Sequence, residues 1–368
     1  MKACAIVPGT TDVLTLDRPE PNLSRPDEVK LRVVRVGICG TDREEAAGGR
    51  ALAPEGRREL VIGHEMLGQV VAAGAAITTV KPGDYAVFTV RRGCGECRPC
   101  ALNRSDMCTT GRYRERGIWG LDGYQAEFVV DAEQYIVRVP PELADVAVLT
   151  EPLSVAEKAI DEAVRVQSAR LPDAPARDTW LSGRTCLVAG LGPIGLLAAM
   201  ILRLRGAKVL GLDVVPGDSP RPRWLAAIGG TYVDGRSVPV DDLAQHGPID
   251  LLVEAAGIAS LEFELVDALG PDAVYVLTGL PGDNRPLSIS GAALVRRLVL
   301  GNQVMVGSVN ASREHFAMAV ADLERGRARW GDLLAGLITH RRRYTDLADA
   351  LRQHPPDEIK TVIEWTGA

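Results

Sequence analysis

The sequence lacks the positive charge that a nucleic-acid or anionic-membrane partner would require. Its 368 residues carry 42 Lys and Arg against 48 Asp and Glu, a net charge of −6 with a pI of about 5.6. The densest basic run, Arg341-Arg342-Arg343, is short enough to be an ordinary solvated surface. Because no basic field is present to attract phosphate groups, we expect neither nucleic acid nor a membrane surface as a partner.

Long uninterrupted apolar runs are also missing. The N-terminal residues MKACAIVPGT contain no apolar core of the length that signal peptides have. The most apolar stretch, residues 187–204, is interrupted by three glycines and a proline, which favours a buried strand, a tight turn and a helix over a membrane helix. We therefore expect a cytoplasmic protein.

The cysteines do not suit a disulfide framework. Their number, seven, is odd, and four of them stand close together at Cys94, Cys97, Cys100 and Cys108. The spacing C-x2-C-x2-C-x7-C can supply four thiolates to one tetrahedral Zn²⁺ and leaves no coordination position open. Such a closed site holds a loop together without catalysing a reaction. We predict a structural zinc here, in a reducing compartment.

The length predicts two domains, because a single hydrophobic core rarely serves more than about 250–300 residues. Residues 1–150 contain short runs of β-branched residues bounded by turn signals such as Lys81-Pro82-Gly83-Asp84, which predicts a β-rich part. An amphipathic helix is predicted over residues 153–164, followed by a surface connector over 167–183.

Strands and helices alternate in the next part of the chain. The predicted strands are residues 186–189, 208–212, 250–254 and 274–278, and the predicted helices are 194–204, 224–228 and 261–269. This alternation indicates an α/β fold with a parallel, doubly wound sheet. From about residue 307 the chain becomes polar and helical, and it ends in a short β-like piece over 360–365.

A glycine motif follows the first of these strands and opens a helix. It reads Gly190-Leu191-Gly192-Pro193-Ile194-Gly195, where the glycines allow a tight turn, close approach of a pyrophosphate and close helix–strand packing. The helix N-terminus adds free N–H groups and a positive dipole. Asp213 ends the second strand, where a carboxylate can accept hydrogen bonds from ribose hydroxyls and repel a 2′-phosphate. We predict a dinucleotide site that favours NAD⁺, with NADP⁺ possible through Arg221 or Arg223.

A second metal site is indicated by Cys39, at the end of a predicted strand, and by His64. A catalytic zinc needs three protein ligands and one exchangeable position. The spacing leaves the third ligand open between Glu65 and Glu151. Bound zinc would lower the pKa of an alcohol, so that hydride can leave toward a nicotinamide ring. The hydroxyl of Thr41 could relay the released proton, although a turn-stabilising role is equally compatible with its position.

Four motifs, in this order, resemble those of the zinc-dependent medium-chain alcohol/polyol dehydrogenases. They are GICGTD at residues 37–42, GHE at 63–65, the cysteine loop at 94–108 and the glycine motif at 190–195. The segments 89–95, 117–120, 151–158 and 307–310 resemble the glucose (aldose) 1-dehydrogenase branch. The resemblance implies a GroES-like catalytic domain, residues 1–182 completed by 308–368, and a Rossmann nucleotide domain, residues 183–307.

The resemblance also implies roles for individual residues. Cys39, His64 and Glu151 match the catalytic metal ligands. Glu65 matches a residue that either ligates zinc directly or contacts the ligands without touching the metal. Glu115 and Asn310 match positions that hydrogen-bond sugar hydroxyls, and Thr278 and Asn310 are expected at the cofactor. The family is usually dimeric or tetrameric through the edges of its nucleotide sheets, here residues 303–306.

Two positions depart from that branch. Val155 stands where an Asp is common, and the segment 298–302 lacks a common His. Each change removes a polar partner from the expected sugar pocket, and an unpaired buried hydroxyl costs about 1–3 kcal/mol. We expect a zinc- and NAD-dependent oxidation of the anomeric hydroxyl of an aldose such as glucose to a lactone. The alternatives are a polyol or secondary-alcohol dehydrogenase and, less favoured, a non-catalytic nucleotide-binding protein.

Overall fold

The computed structural model describes residues 1–172, 174, 179–282 and 285–366. Its strands, in chain order, are β1 Lys2–Ile6, β2 Val13–Asp17, β3 Glu28–Ile38, β4 Leu60–Val61, β5 Glu65–Ala73, β6 Tyr85–Phe88, β7 Arg91–Arg92, β8 Arg114–Arg116, β9 Gly120–Leu121, β10 Phe128–Ala132, β11 Ile136–Val139, β12 Thr185–Ala189, β13 Lys208–Asp213, β14 Thr231–Asp234, β15 Ile249–Glu254, β16 Leu269–Leu277, β17 Val304–Gly307, β18 Ile338–Arg343 and β19 Lys360–Glu364. The α-helices are α1 Gly40–Ala46, α2 Arg98–Ala101, α3 Thr150–Arg170, α4 Pro193–Leu204, α5 Pro220–Ala227, α6 Ala259–Glu264, α7 Gly291–Leu300, α8 Arg313–Trp330 and α9 Leu347–Arg352.

The chain forms two compact units. The first contains Met1–Ser154, Asn310–Glu324 and the residues from Leu334 onward. The second contains Val155–Val309 and Arg325–Leu333. The domain boundaries at 182/183 and 307/308 stay predictions. Among the described helices, none combines the length and the apolar character needed to cross a membrane.

The first unit is built around β3, whose residues Val29, Leu31, Val33 and Val36 are fully buried. Its main sheet has the order β11-β6-β5-β3-β19-β18, and β10 also pairs with β3. The strand β19 lies between β3, which is antiparallel to it, and β18, which is parallel. This arrangement brings the start of β19 beside the end of β3. Two smaller sheets, β2-β1-β4 and β7-β8-β9, complete the strands of this unit.

The second unit contains one six-stranded sheet of parallel strands in the order β14-β13-β12-β15-β16-β17. Strand β12 lies between β13 and β15. Its residues 186–189 are apolar and fully buried, as is typical of a central strand in a parallel sheet. The chain runs outward from β12 to β14 and then returns to β15 on the other side of β12. In such sheets this reversal of strand order is the topological switch point, where ligands bind outside the carboxyl ends of the strands.

Several sequence-based boundaries are wrong, among them those of two helices. Helix α3 continues to Arg170, so residues 167–170 of the predicted connector are helical. Gln167 is buried and donates a side-chain hydrogen bond to the Asp272 carbonyl, which anchors this last turn. Residues 173 and 175–178 of that connector lie outside the described residues.

The predicted helix over 261–269 is also shorter than expected. Helix α6 ends at Glu264, a 3₁₀ turn covers Leu265–Ala268, and Leu269 already belongs to β16, where it pairs with Ile249. Helix α7 was not predicted from the sequence. Its residues Val295, Val299 and Leu300 are exposed, whereas Leu294 and Leu298 are partly buried against the core, so the apolar pattern is wider than the face that packs.

Candidate active site

Three potential metal ligands converge in the first unit. Cys39 follows β3 and caps α1, His64 precedes β5, and Glu65 opens β5. Pairing of β3 with β5 sets Gly37 opposite Glu65, which brings the two strand ends together. Cys39 Sγ lies 3.1 Å from His64 Nε2, and the ligand atoms of all three residues lie within 4.8 Å of one another. A sulfur, an imidazole nitrogen and a carboxylate oxygen form a donor set that suits Zn²⁺.

Asp42 orients both of the first two ligands. Its Oδ2 accepts a hydrogen bond from the Cys39 N–H at 2.9 Å, and its Oδ1 lies 3.4 Å from His64 Nδ1. Burial alone would raise the pKa of Asp42, but His64 and the Cys39 N–H hold it below its usual range. A carboxylate behind a histidine of this kind turns the other ring nitrogen toward a metal. Asp42 belongs to the GICGTD motif, but its role was not evident from the sequence.

Thr41 lies between these groups in sequence. Its backbone N–H donates to Cys39 Sγ at 3.2 Å, and it stands in the first turn of α1. This contact orients the sulfur. The proposed relay role of the Thr41 hydroxyl stays a prediction.

Glu65 forms a buried ion pair with Lys360, the first residue of β19. Lys360 Nζ lies 2.5 Å from Glu65 Oε1, and both side chains are almost inaccessible to solvent. Burial alone would lower the pKa of Lys360, but the charge of Glu65 raises it above its usual value. Gly37 is required here, because a β-carbon at that position would collide with the Glu65 carboxylate. Sequence reasoning missed Lys360, whose only signal was its place in the predicted β-like piece at 360–365.

Glu151 stands in the first turn of α3 and lies outside the group of three. Burial of its carboxyl group raises its pKa to about 7. The charge of His64 acts to lower this pKa, and the charge of Glu65 acts to raise it. It therefore lies in the electrostatic surroundings of the candidate metal site without being within 4.8 Å of every ligand atom. The choice between Glu65 and Glu151 as the third ligand stays open.

The four clustered cysteines do meet. The ligand atoms of Cys94, Cys97, Cys100 and Cys108 all lie within 4.8 Å of one another, with Cys94 Sγ 3.9 Å from Cys100 Sγ. Gly93 lies directly against the cluster, and a β-carbon there would collide with Cys100 Sγ. This all-sulfur donor set fits one closed, tetrahedral zinc.

The two predicted sugar-binding residues are joined by a hydrogen bond. Asn310 Nδ2 donates to Glu115 Oε1 at 2.7 Å, and Arg91 Nε donates to the same oxygen at 2.9 Å. Asn310 has a positive φ of 63°, a conformation that Asn tolerates better than most residues. The buried Arg91–Glu115 pair fixes the carboxylate, a role that sequence reasoning did not assign to Arg91.

The predicted nucleotide loop has the expected geometry. Gly190 adopts a φ of 87°, and a β-carbon on Gly195 would collide with the Gly190 carbonyl. A β-carbon on Gly192 would meet nothing within 4 Å, so this side of the loop is open. Pro193 and Ile194 begin α4, where Pro suits the first helical turn. The loop can therefore admit a pyrophosphate against a helix N-terminus.

Asp213 is tied to this loop. Its Oδ2 accepts the Leu191 N–H at 2.8 Å, its Oδ1 accepts the Val214 N–H at 2.7 Å, and Arg221 Nη1 lies 3.7 Å away. The carboxylate thus organises the glycine loop as well as standing where a ribose is expected. Thr278 Oγ1 donates to the Glu254 carbonyl at 2.5 Å, next to the end of β16.

The two departures lie in the second unit. Val155 is half-buried in α3, and Leu300 is 70% exposed at the end of α7.

The comparisons with known proteins cover the whole chain. The family described as "Alcohol dehydrogenase GroES-like domain" matches residues 25–141, and "Glucose dehydrogenase C-terminus" matches residues 144–365. The chain is 40% identical to glucose 1-dehydrogenase 2 of Vulcanisaeta moutnovskia over 99% of both chains. It is 41% identical to glucose 1-dehydrogenase of Thermoproteus tenax over 88% of both.

A solved structure agrees with these relatives. The glucose dehydrogenase of Haloferax mediterranei, in complex with NADP, Zn and gluconolactone, superposes with a TM-score of 0.88 at 33% identity over 100% of both chains. These matches confirm the predicted fold class, a GroES-like β-rich domain with a Rossmann-type parallel sheet. The chain therefore belongs to the zinc-dependent medium-chain alcohol dehydrogenases, within their glucose 1-dehydrogenase branch.

Proposed function

We propose that this protein oxidises the anomeric hydroxyl of an aldose such as glucose to the lactone, with transfer of hydride to NAD⁺ or NADP⁺ and release of one proton. The observation that carries the proposal is the convergence of Cys39, His64 and Glu65 within 4.8 Å. The names of the relatives support the aldose, and the neighbouring structure with Zn, NADP and gluconolactone supports the cofactors and the product.

Different residues of the protein bind the metal, transfer the proton and bind the substrate. In this proposal Cys39 and His64 hold the catalytic zinc with Glu65 or Glu151, and Asp42 orients His64. Zn²⁺, when bound, supplies the Lewis acidity that allows a hydroxyl proton to leave near neutral pH. The Thr41 Oγ1 atom passes that proton toward solvent. Glu115 and Asn310 receive sugar hydroxyls, and their mutual hydrogen bond holds both groups in place.

The cofactor is held by the second unit. The loop Gly190–Gly195 receives the pyrophosphate, and Asp213 accepts the adenosine ribose hydroxyls. Thr278 is a further cofactor contact from this unit, and Asn310, a residue of the first unit, is the remaining residue assigned to the cofactor. Arg221 stands beside Asp213, so a 2′-phosphate could be neutralised there and NADP⁺ remains acceptable.

The remaining predictions belong to the same proposal. A homodimer or homotetramer would form through β17, which stands at the end of the strand order in the described sheet. The cysteine-based sites require reduced thiols, which favours the cytoplasm. The catalytic domain would comprise residues 1–182 and 308–368, and the nucleotide domain residues 183–307.

A second candidate function is a polyol or secondary-alcohol dehydrogenase. Val155 and the apolar segment 298–302 favour it, because they replace polar groups that are common in the aldose branch. The test is the rate of NADH and NADPH formation with glucose, galactose, xylose, sorbitol and 2-butanol. Activity with the aldoses is expected, and activity confined to sorbitol and 2-butanol would reject the aldose assignment.

Metal analysis tests the site itself. We expect about two zinc ions per chain, and about one in the Cys39→Ser variant, with loss of turnover and retained NADH binding. Cys4→Ser removes a buried thiol outside both clusters and is the matched control. A variant that keeps both zinc ions would show that Cys39 is no ligand. About one zinc in the unmodified chain, with no turnover, would favour the non-catalytic alternative.

A further inference from the structure

A buried carboxylate stands at the switch point of the parallel sheet. Glu254 is the last residue of β15, and its side chain is completely inaccessible to solvent. Within the described parts of the chain, no Lys, Arg or His forms an ion pair with it. Removing a carboxylate from water without such a partner is costly unless other donors replace the lost hydration. The donors that surround Glu254 therefore indicate what its side chain does.

Those donors are backbone N–H groups of two different loops. Oε1 accepts from the N–H of Ala256 at 2.6 Å and of Gly257 at 2.7 Å. Oε2 accepts from the N–H of Gly279 at 3.2 Å. The Glu254 carbonyl accepts both the N–H and the hydroxyl of Thr278. One residue thus joins the loop after β15 to the loop after β16.

The two loops are packed so closely that only glycine fits between them. A β-carbon on Gly257, whose φ is 66°, would stand 2.7 Å from the Leu280 carbonyl oxygen. A β-carbon on Gly279 would stand 2.6 Å from Gly257 Cα. The loop after β15 also touches the nucleotide loop, because a β-carbon on Gly190 would stand 2.7 Å from Ala256 N. The shape of this region is therefore set by backbone contacts that the Glu254 carboxylate holds together.

The position of these loops indicates which part of a dinucleotide they meet. In a doubly wound sheet each half receives one mononucleotide, and the two halves meet at the switch point. Strands β12 to β14, with Gly190 and Asp213, form the adenosine half. Strands β15 to β17 form the other half, which receives the nicotinamide mononucleotide.

We propose that Glu254 is a positioning residue for the nicotinamide half of the cofactor, acting through the backbone of residues 255–257 and 278–280. This inference rests on the proposed function, because it assumes that a nicotinamide dinucleotide binds at the switch point. The carboxylate itself touches no cofactor atom. It keeps both loops in the shape that receives the ring.

The test compares NADH with ADP-ribose, which lacks the nicotinamide ring but keeps the ribose that carries it. In Glu254→Gln the volume is kept, but the amide nitrogen replaces one acceptor and faces a backbone donor. Dissociation constants are measured by calorimetry, and NADH binding also by nicotinamide fluorescence. We expect the Kd for NADH to rise about tenfold or more and the Kd for ADP-ribose to change less than about threefold.

The matched control is Asp250→Asn. Asp250 lies at the opposite end of β15 and also accepts a backbone N–H, from Thr185 at 2.8 Å. The substitution Asp250→Asn should leave both dissociation constants unchanged, whatever its effect on Tm. If Glu254→Gln does not fold, Gly279→Ala retains Glu254 and pushes a β-carbon against Gly257, and the same selective loss of NADH affinity is expected.

The outcomes separate this inference from the proposed function. Equal losses for NADH and ADP-ribose, or no loss for either, would overturn the role of Glu254. If the unmodified protein binds NADH but oxidises no aldose, the proposed function fails, while the comparison of variants still decides the role of Glu254. If the unmodified protein binds no dinucleotide, both proposals fall.

Discussion

Asn310 Nδ2 donates a hydrogen bond to Glu115 Oε1 at 2.7 Å, although the two residues are 195 positions apart in the sequence. Glu115 lies in β8, and Asn310 precedes α8. Arg91 donates to the same oxygen. The three side chains therefore form one hydrogen-bonded group in which the carboxylate is held by both neighbours. A substrate hydroxyl that binds to this group would meet donors and acceptors already in place.

Removing the amide should weaken substrate binding more than it weakens the fold. In Asn310→Ala the KM for the aldose is expected to rise about tenfold, because a bound hydroxyl and Glu115 both lose a partner. Asp272→Ala is the control, since Asp272 also has a positive φ, of 59°, and lies outside the residues assigned to the substrate. Steady-state kinetics and thermal unfolding check the prediction. It fails if the two variants lose equal stability and neither changes the KM.

Asp213 should govern the choice between NAD⁺ and NADP⁺. The substitution Asp213→Asn removes a negative charge that would repel a 2′-phosphate. Arg221 remains and can attract that phosphate. The ratio of kcat/KM for NADP⁺ to that for NAD⁺ should rise about tenfold. In Arg221→Ala the ratio should fall. An unchanged ratio in Asp213→Asn would show that this carboxylate only organises the glycine loop through Leu191.

Lys360 should be needed for the stability of the first unit. Lys360→Met leaves the Glu65 carboxylate buried without its cation, and breaking such a pair costs about 3–5 kcal/mol. The double variant Lys360→Met/Glu65→Gln should recover part of this loss, because no charge remains to be paired. Urea unfolding measures both. Lys2→Met, which removes an exposed pair with Asp17, should change little. An equally small change in Lys360→Met would contradict the prediction.

Asp131 should contribute stability that disappears in acid. Burial alone would raise the pKa of Asp131, but Arg116 and Arg92 lower it to about 2 in the folded protein. Because the folded pKa lies below the unfolded value, the stabilisation is complete above about pH 4 and is lost as the pH falls toward 2. Its size is on the order of 2 kcal/mol.

The measurement is the free energy of unfolding between pH 7 and pH 3. Asp131→Asn should be less stable at pH 7 and should lose less stability on acidification than the unmodified chain. Asp17→Asn, in an exposed pair, serves as the control. Parallel pH profiles for the unmodified chain and Asp131→Asn would refute the assignment.

Local patterns in the sequence predicted much of this architecture. The cysteine spacing predicted a cluster whose sulfur atoms do meet, and the glycine motif predicted a turn that has the required geometry, because both depend on neighbours in sequence. Contacts between distant segments were not predictable in this way. Lys360 reaches Glu65 only through the pairing of β19 with β3, and Glu254 acts on Gly279 only because β15 and β16 are adjacent. No periodicity reports such pairings.

The same reasoning explains the errors in the elements. Helix α7 was missed because Val295, Val299 and Leu300 are exposed beside the partly buried Leu294 and Leu298, so its apolar residues do not mark a single face turned toward the core. Helix α3 extends past its predicted end because Gln167 finds a carbonyl partner more than a hundred positions away. The roles of all the predicted site residues, Thr41, Glu151 and Thr278 among them, stay predictions.

The place of β19 has a consequence for biosynthesis. This strand is translated after the second unit, yet it fills the gap between β3 and β18 and carries the cation that pairs with Glu65. The nascent first unit must therefore wait, with residues 35–38 of β3 unpaired on the side that β19 will occupy, until the second unit and β19 have been translated. During that interval the uncovered edge is open to chaperones and to mispairing with other nascent chains.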